Sequence, residues 1–95
     1  MPHAIALGHI SIKDPAQWAE YRSRVPGTLA PLGGELLFRG RLAATLSGSH
    51  AHADTVAIRF ADLATAHAWH ASPAYQALIP LRQQAADVTL LLFEE

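Results

Sequence analysis

His70-Ala71-Ser72-Pro73-Ala74-Tyr75-Gln76, followed by Leu81-Arg82 and Ala85-Ala86, is the stretch on which the reading of the fold turns. One helix stops near His70 and Ser72-Pro73 opens the next. The serine hydroxyl caps free N–H groups, and a proline at the first helical position gives up no hydrogen bond. The new helix carries Tyr75, Leu78, Ile79 and Arg82, with a kink expected at Pro80. An aromatic hydroxyl and a fixed cation thus fall close together in a chain that is otherwise largely apolar. Val88–Phe93 (VTLLLF) then closes the sequence as a β-rich run.

Upstream, Asp62 caps a short helix holding Leu63, Ala66 and Trp69, and Thr55–Phe60 (TVAIRF) alternates as a strand. Ser47–Asp54 is a polar turn. Glu35–Gly40 (ELLFRG) is a second strand, continuing weakly through Leu42–Leu46. Asp14-Pro15 repeats the cap-plus-proline device before Trp18, Tyr21, Val25, Leu29 and Leu32, which recur at helical spacing. Pro26-Gly27 is expected to interrupt that helix and Gly33-Gly34 to end it. His3–Ile12 has no polar face and reads as a strand covered on both sides.

The order strand, helix, strand, strand, helix, strand predicts an α+β, ferredoxin-like βαββαβ domain over residues 1–95. Its four-stranded antiparallel sheet carries the helices on one face. The other face would be bare in a monomer, and Leu7, Leu37, Ala57, Leu90 and Leu92 are the residues expected to line it. Hydrophobic residues make up 51% of the 95 and charged ones only 16%, against about 25% charged in a typical domain. A chain this short buries only roughly 60–65% of its unfolded surface alone. Surplus apolar surface therefore predicts a homodimer through the sheet faces.

Other classes are disfavoured. The net charge is −1 with no basic run, so nucleic-acid binding is not expected. The absence of cysteine removes disulfides and thiolate chemistry from this chain. No apolar run approaches the roughly 18 residues of a spanning helix, so no membrane role is expected and a cytoplasmic location is the default.

Taken together, these features resemble the DUF1330 family, small dimeric α/β-barrel proteins of unknown function. The resemblance rests on Asp14-Pro15 with Tyr21, Gly33-Gly34 with Leu37 and Arg39-Gly40, and Ile58-Arg59-Phe60. Its most specific part is Ala66–Trp69, then Ser72–Gln76 with Leu81-Arg82 and Ala85. It implies the fold and dimerisation, and no activity. Arg59, where such chains often carry an acidic residue, and the His50/His52 turn depart from the family's pattern.

Tyr21, Arg39, Arg59, Trp69, Tyr75 and Arg82 are the candidate ligand-binding residues. Arg39 and Arg59 share strand parity with Leu37 and Ala57, which would aim both into the space between two sheets or toward its rim. Desolvated guanidiniums need anionic partners, either a ligand or carboxylates such as Glu35 and Asp54. Tyr75 and Arg82 would share a helix face only if Pro80 leaves that face intact. With Tyr21 and Trp69 they either border a cleft or form a hydrogen-bonded aromatic core. The six histidines lack the spacing of a metal set, and no cofactor is implied. His9 and His70 are the candidate proton-transfer residues, with a core role as the alternative for His9.

Two functions follow. One is a small homodimer binding a small organic anion or aromatic compound between sheet and helices. The other, by analogy of fold alone, is a cofactor-independent enzyme of tautomerase or monooxygenase type acting on a small carbonyl or phenolic compound.

Overall fold

A computed structural model describes residues 2–95. In chain order the elements are β1 (Ala4–Ile12), α1 (Pro15–Leu29), β2 (Glu35–Arg41), β3 (Asp54–Phe60), α2 (Leu63–Ala71), α3 (Pro73–Gln76), α4 (Ile79–Ala85) and β4 (Ala86–Glu94). The strands form one antiparallel sheet in the order β2-β3-β1-β4. This is the ferredoxin-like βαββαβ arrangement, with its second helical position divided into three pieces.

Local chemistry accounts for the helix starts. Asp14 Oδ1 accepts from the N–H groups of Ala16 at 3.0 Å and Gln17 at 3.1 Å. Ser72 Oγ accepts from Tyr75 N–H at 3.2 Å, and Asp62 Oδ1 from Thr65 N–H at 2.8 Å. The prolines behave differently from the expectation. Pro26 does not split α1, which runs on to Leu29 before a 3-10 turn at Ala30–Leu32. So close to the C-terminal end, the missing N–H costs a single hydrogen bond. Pro80 kinks nothing either: it sits in the first turn of α4, where its N–H would have no partner in any case. Gly33, at φ 68°, supplies the left-handed cap that ends the first helical segment.

Strand pairing sorts residues by face, because directly opposed residues point the same way. Ala4, Ala6, Gly8 and Ile10 of β1 lie under the helices with Phe60, Ile58 and Val56 of β3. Opposite them on β4 are Leu92, Leu90 and Val88, so Leu90 and Leu92 belong to the helix side and not to the bare face. The open face is made instead by Ile5, Leu7, His9 and Ser11 with Phe93, Leu91, Thr89 and Asp87. Arg59, Ala57 and Thr55 continue it across β3. Phe38, Leu91 and Phe93 on this face are 52%, 41% and 51% exposed.

Strand β2 carries a register shift between Leu36 and Phe38. Glu35 therefore pairs with Arg59 and Phe38 with Ala57 on the open face, while Arg39 opposes Val56 on the helix side. The shared facing expected of Arg39 and Arg59 fails for this reason: the bulge inverts the alternation between Leu37 and Arg39. β2 also stops at Arg41. The Leu42 N–H donates to the Ala53 carbonyl at 2.6 Å and closes the base of an irregular loop.

Between sheet and helices, Phe60, Ile58 and the small residues of β1 meet Tyr21, Val25, Leu29, Trp69, Tyr75 and Leu78. The Trp69 ring lies 5.4 Å from Phe60 and 4.3 Å from Tyr75, centroid to centroid. Its indole N–H is satisfied by Thr28 Oγ1 at 3.0 Å, and Thr28 donates in turn to the Val25 carbonyl at 2.7 Å. No helix among the described residues is long and apolar enough to cross a membrane.

Candidate functional site

The packing between α1 and the sheet is incomplete. Gly8 lies in the floor with the Val56 and Leu90 side chains drawn in close over it, and a cavity of about 320 Å³ opens between β1, β2, β3, the first half of β4 and the inner face of α1. That volume is in the range of small-molecule sites. Its walls are apolar and aromatic: Trp18 and Tyr21 stack at 5.1 Å on one side, and Trp69 and Tyr75 close the inner end.

Of the residues singled out in the sequence, Tyr21, Arg39, Trp69 and Tyr75 line this cavity. Arg82 does not. It stands behind Tyr75, and its Nη1 donates to Tyr75 Oη at 2.8 Å, although the helix between them is broken at Ala77-Leu78. Tyr75 Oη also contacts Tyr21 Oη at 2.9 Å, so a half-buried guanidinium and two buried phenols form one hydrogen-bonded chain. Burial, followed by the neighbouring Tyr75, pushes the Tyr21 hydroxyl far above its ordinary range, so it stays a neutral phenol.

Arg59 lies on the opposite side of the sheet, where its Nη2 meets Glu35 Oε2 at 3.0 Å. It is an exposed ion pair, worth little to stability. His70 is at the end of α2, 5.6 Å from the Tyr75 ring but outside the main cavity, beside a smaller hollow of about 190 Å³. His9 is also outside it and is not a core residue. It sits on the open face, its Nδ1 3.1 Å from Thr55 Oγ1.

Two features were not read from the sequence. Arg22 and Trp18 line the cavity from α1, four residues apart and therefore on one helical face. That spacing was a usable signal. The second feature is a histidine cluster. The loop after β2 folds back over the open face, placing His50 4.9 Å and His52 6.5 Å from His9, ring to ring. Ser11 Oγ bonds His52 Nδ1 at 2.9 Å. Burial, then the two neighbouring imidazoles, lower the His9 pKa. No three His, Cys, Asp or Glu residues among those described have metal-holding geometry.

The cavity offers stacking surfaces and cations and little else. Asp54 is the one carboxylate among its described lining residues, and no serine or histidine faces it. Burial, then the nearby Arg22, lower the pKa of Arg39.

A small α+β protein with an aromatic-walled hollow under its first helix is the class that these features define. The chain belongs to the DUF1330 family, a domain of unknown function, whose model matches residues 3–95. No curated protein matches it by sequence. Among solved structures it is similar to the RPA0582 protein of unknown function from Rhodopseudomonas palustris. That match has a TM-score of 0.79 and 18% identity, covering 99% of this chain and 82% of the other. A dimeric ferredoxin-like protein of unknown function from Jannaschia sp. CCS1 gives a TM-score of 0.75 at 14% identity, covering 98% of this chain and 99% of that one. SnoaB, a cofactor-independent oxygenase from Streptomyces nogalater, gives 0.69 at 14% identity, covering 98% and 92%. Likeness at these identities establishes the fold.

Proposed function

We propose that this protein binds a small aromatic or aliphatic organic compound, most readily an anion, in the hollow under α1. It does so as a homodimer whose protomers meet through their open sheet faces. The observation that carries the binding reading is the cavity itself: aromatic on its walls, floored by glycine, and bordered by arginines. Self-association is supported by the uncovered Phe38, Leu91 and Phe93 and by structural neighbours described as dimeric. Exposed apolar area costs about 25 cal/mol per Å², which a second copy would recover. A cytoplasmic location is part of the same proposal, and cell fractionation checks it.

Thermal denaturation tests the binding. A panel of benzoate, 3-phenylpropanoate, octanoate and the corresponding alcohols should contain members that raise the Tm by several degrees. Ligand at 100 times its Kd contributes about 2.7 kcal/mol. Val56→Phe, which fills the cavity, should abolish the shift while leaving the unliganded protein folded. A panel with no effect on wild type would overturn the reading.

A second reading, catalysis without a cofactor, is favoured by one observation. The Arg82–Tyr75–Tyr21 chain brings a polarised phenol to the cavity wall, a donor suited to an enolate or phenolate oxygen. SnoaB shows that the fold hosts such chemistry in another protein. Accelerated ketonisation of phenylpyruvate enol, or oxygen uptake with polyphenols, lost in Tyr21→Phe, would support it. Rates equal to the uncatalysed ones would remove it.

A further inference from the structure

Four of the six arginines of this chain fall into two contrasting kinds. Arg24 reaches Glu20 at 2.6 Å and Arg59 reaches Glu35 at 3.0 Å, each an ordinary exposed ion pair. Arg22 and Arg39 have no carboxylate within 4 Å and make no side-chain hydrogen bond among the described residues, yet both line the same apolar cavity. They reach it from different elements. Arg22 comes from α1, one turn beyond Trp18, and Arg39 from β2, where the bulge turns it toward the helices. Both are exposed, but Arg22 is near enough to act on the charge of Arg39, and an anion lying between them would be attracted by both. Asp54, also at the lining, forms no ion pair with either and leaves the local charge at one positive unit.

The inner end of the cavity has the opposite character. Trp69 and Tyr75 close it, and the hydroxyls of Tyr75 and Tyr21 are engaged with each other and with Arg82. A charged group pushed to that end would meet two phenols bonded to each other, with a single O–H between them left to offer and no cation lining the wall there. We infer that Arg22 and Arg39 form a clamp for a single carboxylate at the cavity mouth, so that the ligand is an arylalkanoate or medium-chain alkanoate lying tail inward. Resting on the binding reading above, this adds ligand class and orientation. A planar carboxylate matches the fork of a guanidinium. One negative charge balances the site, whereas a phosphate monoester would leave it overcharged.

Calorimetric titration of matched pairs separates this inference from the reading beneath it. The pairs are 3-phenylpropanoate against 3-phenylpropan-1-ol, and octanoate against 1-octanol. Wild type should bind each acid about tenfold more tightly than its alcohol, equivalent to one charge-assisted hydrogen bond. Arg39→Gln and Arg22→Gln should each erase most of that ratio while alcohol affinity stays within about twofold. Both positions are exposed, and an unchanged melting curve shows that the variants fold. Arg59→Gln, on the other face, should keep the full ratio. Equal affinity of acid and alcohol for wild type overturns the clamp and leaves the cavity as the binding site. A ratio that survives both substitutions overturns it as well. Absence of binding by every member overturns both the clamp and the site.

Discussion

Beneath the helices β1 presents Ala4, Ala6, Gly8 and Ile10, and on its other side Ile5, Leu7, His9 and Ser11. The same strand therefore carries small residues where large neighbours exist and larger ones where none do. On the covered side, helix aromatics need room to reach the sheet, and at Gly8 the missing side chain lets Val56 and Leu90 of the neighbouring strands close in. On the open side, the residues grade from apolar to polar. The row Glu35–Arg59–Ile5–Phe93 and the row Phe38–Ala57–Leu7–Leu91 leave Phe93, Phe38 and Leu91 exposed. The row Gly40–Thr55–His9–Thr89 lies under the chain's own histidine loop. One face is thus completed within the molecule, and half of the other is left for something else.

The largest expected effect sets these faces against each other. Phe60 is 1% exposed at the centre of the covered side. Phe60→Ala should cost about 3–5 kcal/mol, read as a fall in the urea midpoint at unchanged slope. Leu7→Glu, three register rows away on the open side, should leave a folded chain but reduce its mass by light scattering from dimer to monomer. If Leu7→Glu unfolds the protein as Phe60→Ala does, the two faces are not different in kind. If its mass stays that of a wild-type dimer, the partner docks elsewhere.

A smaller effect sharpens the covered side. Tyr75, 1% exposed, links Arg82 to Tyr21 through one oxygen. Tyr75→Phe strands the buried Tyr21 hydroxyl and removes the acceptor of Arg82, which should cost about 1–3 kcal/mol. Tyr21→Phe leaves the Arg82 bond in place and should cost less. The double variant should show coupling between the two positions in a denaturation cycle. The reverse order of costs would mean that Tyr21, not Tyr75, holds the chain together.

What could be read from the sequence was local, and what could not was produced by pairing. Asp14-Pro15 and Ser72-Pro73 announced helix starts because a cap and its N–H partner lie within three residues. The facing of β4 was not readable, since VTLLLF has consecutive apolar residues and no alternation to choose between Leu90 and Leu91. Strand parity alone puts Arg39 on the wrong face, because a bulge depends on the partner strand. Tyr21 and Tyr75 were picked out individually, but their contact spans 54 positions. The histidine cluster joins residues more than 40 apart through a loop that carries no periodicity to reveal where it returns. Pro80 shows a subtler failure: the same proline that breaks a helix interior is at home in a first turn, and only the break at Ala77-Leu78 decides which applies.

The smallest expected effect probes the polar half of the open face. His9 meets Thr55 and Thr89 from the flanking strands and His50 and His52 from the loop above. The nearest charged residue in the next row, Asp87, is paired with Lys13 at 3.6 Å, and Arg59 with Glu35 lies two rows away. Burial and the two imidazoles depress the His9 pKa below its ordinary 6.5. The unfolded chain therefore takes up this proton more readily than the folded one, and stability rises with pH across the interval between the two values. The protein should be at full stability above about pH 6.5 and lose part of it as pH falls from there through the folded pKa. Asp62 stays ionised in this window, because hydrogen bonds from Thr65 hold its carboxyl below the ordinary 3.8. The same protonation places like charge on a face proposed to meet its own copy, so dimer mass should decline in the same direction. Melting curves and light scattering at pH 7.5 and 5.5 check both, with His9→Asn expected to flatten the change. A drop that persists undiminished in His9→Asn would assign the titration to other groups, and the polar rows would then be no more than a capped edge beside the apolar ones.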